Sequence, residues 1–562
     1  MSYLIVYIYY MAYILKKRLK GRAYYYLAEA QRVDGKPRII WQKYLGTADK
    51  IKEKLMAAPS EGIEDIVTLE LGSVAAVESI EEVVRFADIV DDVVPKRNQG
   101  MRIGQYLYLL LLNRIIEPKS KASLGEWLKK TAVTEYREVD FSLIDSKNLW
   151  DHLDKVEEKH IKAIGDAVSK RIVELYDISL DCLLYDTTNY FNQMSPVTDS
   201  KLSRYAHSKA GKHHLRHVGL ALLCTREEGI PLFHRLYSAN VHDSKILAQI
   251  RQELFSLLFS FKKGKERMTL IFDKGCNSPD NFAAIDASEF YFIGTLSTYH
   301  HPRLCRIPLS SFKEITIEGK PLWIYQTTME LYGKERSVVV SFNPRTYERK
   351  IHWLSRTMVK TKRKLQELRQ ELKNADGRTT VQSVERHVNE ILSESHIAPV
   401  FDVKVSCRYR KFQMSIRTHP QVIKDYRSRF GKNIILTDHL DWEAEEIIRA
   451  YRDRYKIEAA FRMTKDPFHI RFEPMFCWTD SKIQVHGLTC VMALLYLALL
   501  HKKLVDAEAD ISLDRAMDML RGIRLVHCYY PNKSRPVQKI CRICSTEKKL
   551  LKALNIKLSG VR

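Results

Sequence analysis

Two aspartates stand at the ends of short apolar runs and could act together as ligands for a metal ion. Asp186 closes the run 180–186, and Asp273 closes the run 268–273. Each run predicts a buried strand, because it is short, apolar and bounded by polar residues. Open α/β sheets place their sites at the carboxyl ends of the strands. We therefore expect both carboxylates at one edge of a sheet.

A third carboxylate, Glu458, lies on a predicted helix over residues 442–465, within a stripe of polar side chains. Arg454, Glu458 and Lys465 follow Tyr451 by 3, 7 and 14 positions, so they fall within an arc of about 60° on a helix that turns about 100° per residue. By geometry alone, this stripe could be a solvated helix face. A carboxylate that lies beside two cations and a tyrosine nevertheless fits a site that binds a metal ion next to phosphates better than it fits a solvated surface.

Three carboxylates at one sheet edge would repel one another unless cations compensate their charge. Two Mg²⁺ ions, for which Mn²⁺ could substitute, are the natural partners because they prefer oxygen ligands and retain waters. Such a pair activates an attacking oxygen and stabilises the leaving one during in-line displacement at phosphorus. The residues therefore favour phosphoryl-transfer chemistry with Asp186, Asp273 and Glu458 as metal ligands.

The elements that must position these residues follow a regular order. They are predicted as strands 180–186, 217–225 and 230–237, helix 246–258, strand 268–273, a helix that begins at Ser278 and Pro279, and strand 290–296. Serine before proline is typical of a helix start. This order predicts an α/β fold with a ribonuclease-H-like mixed sheet, and no fold with a phosphate-cradling glycine loop fits it.

The stretch 298–430 interrupts the pattern with strand-like runs and two helices, 357–373 and 381–392, which are predicted to form a helical hairpin. A strand at 434–437 resumes the core, and 483–501 is predicted to be a mostly buried helix. The predicted division of the chain is an N-terminal region at 1–100, a helical DNA-binding candidate at 101–176, a first core part at 177–297, the β-rich insertion at 298–430, a second core part at 431–502 and a basic C-terminal region at 503–562.

The N-terminal region is predicted to contain a β-hairpin over residues 23–44 with its turn at Asp34 and Gly35. The first 15 residues are apolar, and the basic cluster 16–20 follows them. A spanning helix needs about 20 apolar residues, and a signal peptide carries its positive charges before the apolar run. A buried strand or a spurious upstream extension is therefore favoured over membrane attachment.

Composition bounds the class of protein and its partners. The 562 residues include 91 Lys and Arg against 68 Asp and Glu, a net charge of +23, with 45% hydrophobic and 28% charged residues. These values exclude collagen, a disordered polyampholyte and a polytopic membrane protein. A surplus of this size points to a polyanionic partner, nucleic acid first, although a basic protein kept soluble by its charge is the alternative.

The cysteines and histidines give weaker signals. Ten cysteines without a disulfide pattern favour a reducing cytosol. Cys528, Cys541 and Cys544 could hold zinc only with His527 as the fourth ligand, so free thiols are favoured. Four histidines lie in a Lys/Arg-rich stretch and are interpreted as solvated, DNA-facing or core residues rather than metal ligands: His207, His213, His214 and His217.

The motifs together resemble a known family. The run YRDRYKIEAAFRMTK, which holds Tyr451, Arg454, Glu458 and Lys465, resembles the signature of DDE transposases of the insertion-sequence-four group. YDTTNYF and FDKGCNSPDNF are similar to that group's two aspartate boxes. PLFHRLYSANVHDSK and the basic hairpin resemble its sixteen-thirty-four branch of bacterial and archaeal insertion sequences. The resemblance covers about residues 20–500, with spacings of 87 and 185 residues between the three carboxylates.

The resemblance implies a role for each matching residue. Asp186, Asp273 and Glu458 would bind the metal ions, and Tyr451, Arg454 and Lys465 would contact phosphates at the transposon end. The reaction would be metal-dependent cleavage at terminal inverted repeats followed by attack of the freed 3′-hydroxyl on target DNA. The partners would be double-stranded DNA and a second copy of the chain, without a membrane, in the cytoplasm at the nucleoid.

Three questions remain open at the level of sequence. In related enzymes a tryptophan of the insertion helps to hold a flipped base, and either Trp323 or Trp353 could match it or belong to the core. An inactive or domesticated DNA-binding derivative is one alternative function, although all three carboxylates are present. A nuclease of the same fold is another, because both reactions use the same two-metal site.

Overall fold

The computed structural model describes residues 11–33, 36–57, 63–95, 100–176, 178–195, 197–206, 211–261, 267–374, 379–409, 411–531 and 533–558. Within these ranges, helices surround a mixed sheet of ten strands. The predicted fold class is confirmed at the level of a mixed α/β protein with one large mixed sheet.

The N-terminal elements form their own antiparallel sheet with one helix: β1 (Met11–Leu19), β2 (Arg22–Val33), β3 (Lys36–Gly46) and α1 (Ala48–Ala57). β2 and β3 confirm the predicted hairpin, and its predicted turn at Asp34 and Gly35 lies outside the described residues. The predicted buried strand within residues 1–15 is described only at residues 11–15, which belong to β1, and there it is wrong, since Ile14 is 64% exposed. The physical reason is size, because one ten-residue helix cannot cover both faces of three strands. Residues 1–10 lie outside the described residues.

A mostly helical region follows: β4 (Asp65–Glu70), α2 (Gly72–Val84), α3 (Phe86–Val93), α4 (Ile103–Ile116), α5 (Leu124–Leu128), α6 (Ser146–Leu153) and α7 (Glu158–Leu175). The predicted helical character of residues 100–175 is confirmed. α4 is buried along nearly its whole length, because apolar residues cover all sides of it rather than one stripe.

The first part of the central sheet contains β5 (Cys182–Asn192), β6 (Arg204–Tyr205), β7 (Arg216–Thr225), β8 (Pro231–Ser238), α8 (Asp243–Phe261), β9 (Thr269–Ile271), α9 (Pro279–Asp286), β10 (Tyr291–Leu296) and α10 (Pro302–Cys305). The predicted order of main strands and helices is confirmed. In space the strands lie in the order β8, β7, β5, β9 and β10. β5, β9 and β10 are parallel, whereas β7 is antiparallel to β5 and β8.

The prediction that the strand carrying Asp186 ends at that residue is wrong. β5 continues six residues further, to Asn192. The cause is pairing with a strand that follows later in the chain. β7 pairs with β5 from Leu183 to Asn192 and supplies the hydrogen bonds that extend it. Asp186 is therefore an internal residue of β5.

The stretch after α10 contains β11 (Lys313–Ile317), β12 (Lys320–Leu331), β13 (Lys334–Phe342), α11 (Pro344–Glu371), α12 (Val381–Ser395), β14 (Phe401–Arg408), β15 (Lys411–Thr418), α13 (Pro420–Arg429) and β16 (Lys432–Thr437). β11, β12 and β13 extend the central sheet, which they join through β16 and β10. Residues 344–430, which we call the insertion module, enclose a second hydrophobic core. α11 and α12 confirm the predicted helical hairpin.

The remaining elements are α14 (Ala444–Arg452), α15 (Tyr455–Lys465), α16 (Asp480–Asp506), α17 (Leu513–Gly522), β17 (Arg524–Tyr529), β18 (Val537–Ile540) and α18 (Ser545–Ala553). α16 is long and apolar enough to cross a membrane, but 83% of its most apolar window is buried inside the protein. It is a core helix, as predicted. β17 lies between β18 and β4, so the C-terminal elements pair with the N-terminal part.

Candidate active site

Strand register places Asp186 and Asp273 side by side. β5 and β9 are parallel, with Leu184 opposite Ile271 as the last pair of the ladder. Asp186 and Asp273 each follow that pair by two residues. β9 ends there and β5 continues, so the two carboxylates lie at the carboxyl edge of the parallel strands, as the sequence predicts.

The guanidinium group of Arg454 connects the two carboxylates. Its Nη2 lies 3.1 Å from Asp186 Oδ2, and its Nη1 lies 3.6 Å from Asp273 Oδ1. Arg454 is only 8% exposed. A buried arginine between two aspartates offsets their mutual repulsion, which is costly at this burial without a cation.

The two aspartates differ in their protonation behaviour. Burial raises the pKa of Asp186, and the opposing effect of Arg454 does not cancel it. Burial also acts on Asp273, but Arg454, the Lys274 N–H and the Thr295 hydroxyl outweigh it and lower the pKa of that carboxyl. The Asp273 side chain is 41% exposed against 22% for Asp186, which explains why burial prevails only at Asp186.

Tyr451 completes a hydrogen-bond network around Asp273. The Arg454 Nη1 donates to the Tyr451 hydroxyl at 2.8 Å, and that hydroxyl donates to Asp273 Oδ1 at 3.4 Å. Thr295 on β10 donates to the same carboxylate oxygen at 3.0 Å. Burial raises the pKa of Tyr451, so its hydroxyl remains a proton donor at neutral pH.

The helix predicted over residues 442–465 is interrupted, which corrects the prediction of one continuous helix. α14 ends at Arg452 and α15 begins at Tyr455, with Asp453 and Arg454 between them. The connection is a tight turn in which the Arg454 N–H bonds to the Tyr451 carbonyl. The carboxylate of Asp453 accepts a hydrogen bond from Arg226 Nε at 2.6 Å, and this contact holds the turn against the end of β7.

Glu458 and Lys465 lie further along α15. Glu458 is exposed, in the first turn of the helix, one turn after Arg454. Lys465 Nζ donates to Thr188 Oγ1 at 2.8 Å, two residues beyond Asp186 on β5. The structure thus joins Asp186, Asp273, Arg454 and Tyr451 directly, and the Lys465 side chain reaches the strand that carries Asp186. Glu458, within the described residues, does not form a three-carboxylate cluster with the aspartates.

An open cavity of about 670 Å³ adjoins this group and contains residues that the sequence analysis missed. Its lining includes Thr188, Lys465, Asp243 and Glu473. Asp243 lies at the start of α8, within the run PLFHRLYSANVHDSK. The motif therefore contains this residue, but periodicity cannot predict that a carboxylate at the start of α8 lies beside β5 in the folded chain. Burial raises the pKa of Glu473.

The other candidate ligands occupy ordinary structural positions. Cys541 Sγ accepts the Arg524 N–H, and Cys544 caps α18. His217 is buried with its Nε2 3.0 Å from the Lys212 carbonyl, and His207 lies outside the described residues. Within the part of the chain that the structure describes, no three His, Cys, Asp or Glu side chains lie close enough together to hold a metal ion.

The two tryptophans left open by the sequence differ in environment. Trp323 on β12 packs against the main core and contacts the ring of Phe342. Trp353 on α11 is 44% exposed. Trp323 is thus half-buried against the core, and Trp353 is available on the surface of the insertion module.

Comparison with known proteins gives a family and a distant structural likeness. The family described as "Transposase DDE domain" matches residues 194–494, more than half of the chain. This segment includes Asp273 and Glu458 and begins eight residues after Asp186. A cryo-EM structure of a piggyBac transposase synaptic complex with hairpin DNA is similar over 82% of each chain, with 9% identity and a TM-score of 0.38. No curated protein matches the chain.

Proposed function

The chain belongs to the transposase DDE domain family, and from this premise we propose that Asp186, Asp273 and Glu458 are its catalytic carboxylates. Family membership makes the protein a DNA transposase, an enzyme with DDE polynucleotidyl-transferase chemistry. Our proposal adds that it cleaves an insertion sequence at its terminal inverted repeats and joins the freed 3′-hydroxyl ends to target DNA. The sixteen-thirty-four-like branch of the insertion-sequence-four group and a ribonuclease-H-like core belong to the same proposal.

The observation that carries this proposal is the parallel register of β5 and β9. It brings together two aspartates that are 87 residues apart in the chain. Two half-buried carboxylates side by side cost stability and need a cation such as Arg454 to offset their repulsion. The position of the pair therefore supports a role in chemistry better than a role in folding.

The donor set fits divalent metal ions. All three proposed ligands offer carboxylate oxygens, the ligand type that Mg²⁺ and Mn²⁺ prefer. The ion pairs of Arg454 with Asp186 and Asp273 support a cation-binding role for this pair. Two metal ions bound there would supply an activated attacking oxygen and stabilise the leaving oxygen.

The remaining residues of the site would orient DNA and stabilise its charge. Neighbouring Tyr451, Asp186 and Asp273 outweigh the effect of burial and raise the pKa of Arg454, so its guanidinium remains a fixed cation. It is suited to a phosphate oxygen because its planar fork can donate two parallel hydrogen bonds. Lys465 and the Tyr451 hydroxyl add donors on either side, and the adjoining cavity offers room for the DNA strand.

The test combines cleavage with strand transfer. The purified chain is incubated with Mg²⁺, a duplex that carries the terminal repeats flanking the gene, and a supercoiled target plasmid. We expect nicks that leave 3′-hydroxyl ends at the repeats, followed by joined products and a dimer on paired ends. Cleavage without joining would identify a nuclease, and specific binding without cleavage would identify an inactive derivative.

A further inference from the structure

The outward face of α11 carries a long row of basic side chains. Arg345, Arg349, Arg356, Lys360 and Arg363 are all exposed. Their spacing of 3, 4 or 7 residues places them within an arc of about 60° at about 100° per residue. We call these five residues the α11 stripe, and the exposed Trp353 lies at its edge, about 20° outside the arc.

The α11 stripe faces away from the core of the insertion module. The buried residues of α11 are Leu354, Thr361, Leu365 and Leu368. By the same helical geometry, this apolar side lies about 130–140° from the α11 stripe. Packing against the second hydrophobic core therefore fixes the direction in which the basic residues point, and they point to solvent.

Among the described residues, a salt bridge neutralises only one member of the stripe, Arg363. Lys364, on the edge of the helix, pairs with Glu394 at 2.8 Å, and Arg363 pairs with Glu367 at 3.6 Å. Within the described residues, no salt bridge involves Arg345, Arg349 or Arg356. Exposed, unneutralised charges that repel one another destabilise a helix slightly, which favours a function for them outside folding.

The insertion module also holds a disproportionate share of the charge. Residues 344–430 contain 20 Lys and Arg against nine Asp and Glu, a net charge of +11. This is nearly half of the +23 of the chain in 87 of its 562 residues. The module therefore has a strongly positive electrostatic potential, which attracts polyanions.

We propose that the α11 stripe is a docking surface for the sugar-phosphate backbone of duplex DNA, a surface that binds without reading sequence. The inference rests on the proposed function, because it needs DNA as the substrate. The stripe runs from Arg345 to Arg363, 18 steps along the helix, or about 27 Å at about 1.5 Å per residue, which is most of one turn of B-DNA. Arginine and lysine donate hydrogen bonds to phosphate oxygens, and such contacts position a duplex without reading its sequence.

The experiment compares two triple variants of the full chain. The stripe variant is Arg349→Gln with Arg356→Gln and Lys360→Gln. The control variant is Lys548→Gln with Lys549→Gln and Lys552→Gln, which removes the same charge from exposed positions of α18. Affinity for a duplex of random sequence is measured by fluorescence anisotropy between 50 and 300 mM salt, a range over which counterion release gives a measurable slope of about 0.9 per phosphate contact.

We expect the stripe variant to lose about two to three units of the slope of log affinity against log salt, and at least about tenfold in affinity at 100 mM salt. The control should keep the parent's slope. Arg349→Lys with Arg356→Lys should also keep it, because the charge is retained. Equal slopes for the stripe variant and the control would overturn the inference. Failure of the parent to bind DNA at all would instead overturn the proposed function.

Discussion

At the scale of single residues, Arg454 has the most contacts that bear on chemistry. Asp186, Asp273 and Tyr451 all lie within hydrogen-bond or ion-pair distance of its guanidinium. It compensates two carboxylates in the structure and is the cation nearest to a phosphate in the proposed complex. Its removal should therefore affect the protein without DNA as well as the reaction.

We expect Arg454→Gln to lower the thermal unfolding midpoint in EDTA, because loss of one partner of a buried ion pair costs about 3–5 kcal/mol. Mg²⁺ should restore part of the loss by replacing the missing positive charge. Scanning calorimetry with and without Mg²⁺ measures both effects.

Arg449→Gln is the matched control on α14. Arg449 pairs with Glu445 at 2.6 Å, but both side chains are about half exposed, and such surface pairs contribute about 0–1 kcal/mol. If the two variants unfold alike in EDTA, Arg454 does not compensate the aspartates.

The residue types of the site could be predicted from the sequence, whereas their partners could not. Asp186, Asp273, Tyr451 and Arg454 are recognisable by motif and spacing, and the structure brings them together. Thr295 carries no local signal, and the motif that contains Asp243 does not show where its carboxylate lies, because both positions depend on β10 and on the start of α8 after the sheet has formed. Their proximity to the site is a property of long-range pairing.

At the scale of elements, the turn between α14 and α15 decides where Arg454 points. Periodicity predicts one helix through this turn, and the error has a physical cause. Asp453 pairs with Arg226, which is 227 residues away in the chain, and no local pattern contains that information. The strand β5 illustrates the same limit, because β7 rather than local sequence extends it beyond Asp186.

We expect Arg226→Ala to lower cleavage of terminal-repeat DNA by at least about tenfold, since a small displacement of a catalytic group is enough for such a loss. DNA affinity should stay close to that of the parent, because Arg226 contacts Asp453 rather than the proposed DNA surface. Single-turnover cleavage and equilibrium binding are measured on the same preparation.

Arg85→Ala provides the comparison, since Arg85 also pairs with an aspartate, Asp88 at 2.7 Å, but both side chains are more than half exposed and lie far from the site along the chain. An Arg226→Ala protein that cleaves like the Arg85→Ala protein would show that the turn does not need this contact.

At the scale of the whole molecule, the two ends of the chain depend on each other. β17 pairs with β4 over six residues, and Leu525 on β17 is fully buried in the main core. The region predicted as a basic C-terminal part is thus a folded element of the structure. Composition could predict its charge, but the strand pairing across more than 450 residues could not be predicted from local sequence.

We expect a chain that ends at Gly522 to unfold at a lower temperature than the full chain, because it loses the strand beside β4 and exposes Leu69 and its neighbours. A chain that ends at Leu558 is the control, since it retains β17, β18 and α18. Equal unfolding temperatures for both truncations would contradict the proposed dependence of the N-terminal part on β17.

The central claim is that chemistry and DNA binding reside in different residues of one molecule. Three carboxylates are assigned to the reaction, while affinity is assigned to the net charge of +23, of which +11 lies in residues 344–430. An amide in place of a carboxylate keeps the shape of the side chain and removes one charge that a metal ligand needs. The claim can therefore be tested by separating cleavage from binding.

The decisive measurement is cleavage and binding of terminal-repeat DNA by Asp186→Asn, Asp273→Asn and Glu458→Gln, with Asp280→Asn as the control in the exposed first turn of α9. We predict that each of the three variants binds the DNA like the parent while cleavage falls by several orders of magnitude, because each loss of about 1.4 kcal/mol in the transition state is tenfold in rate. Asp280→Asn should cleave normally. Normal cleavage by any of the three variants, or inactivation by Asp280→Asn as complete as that by Asp273→Asn, would contradict the assignment of the site.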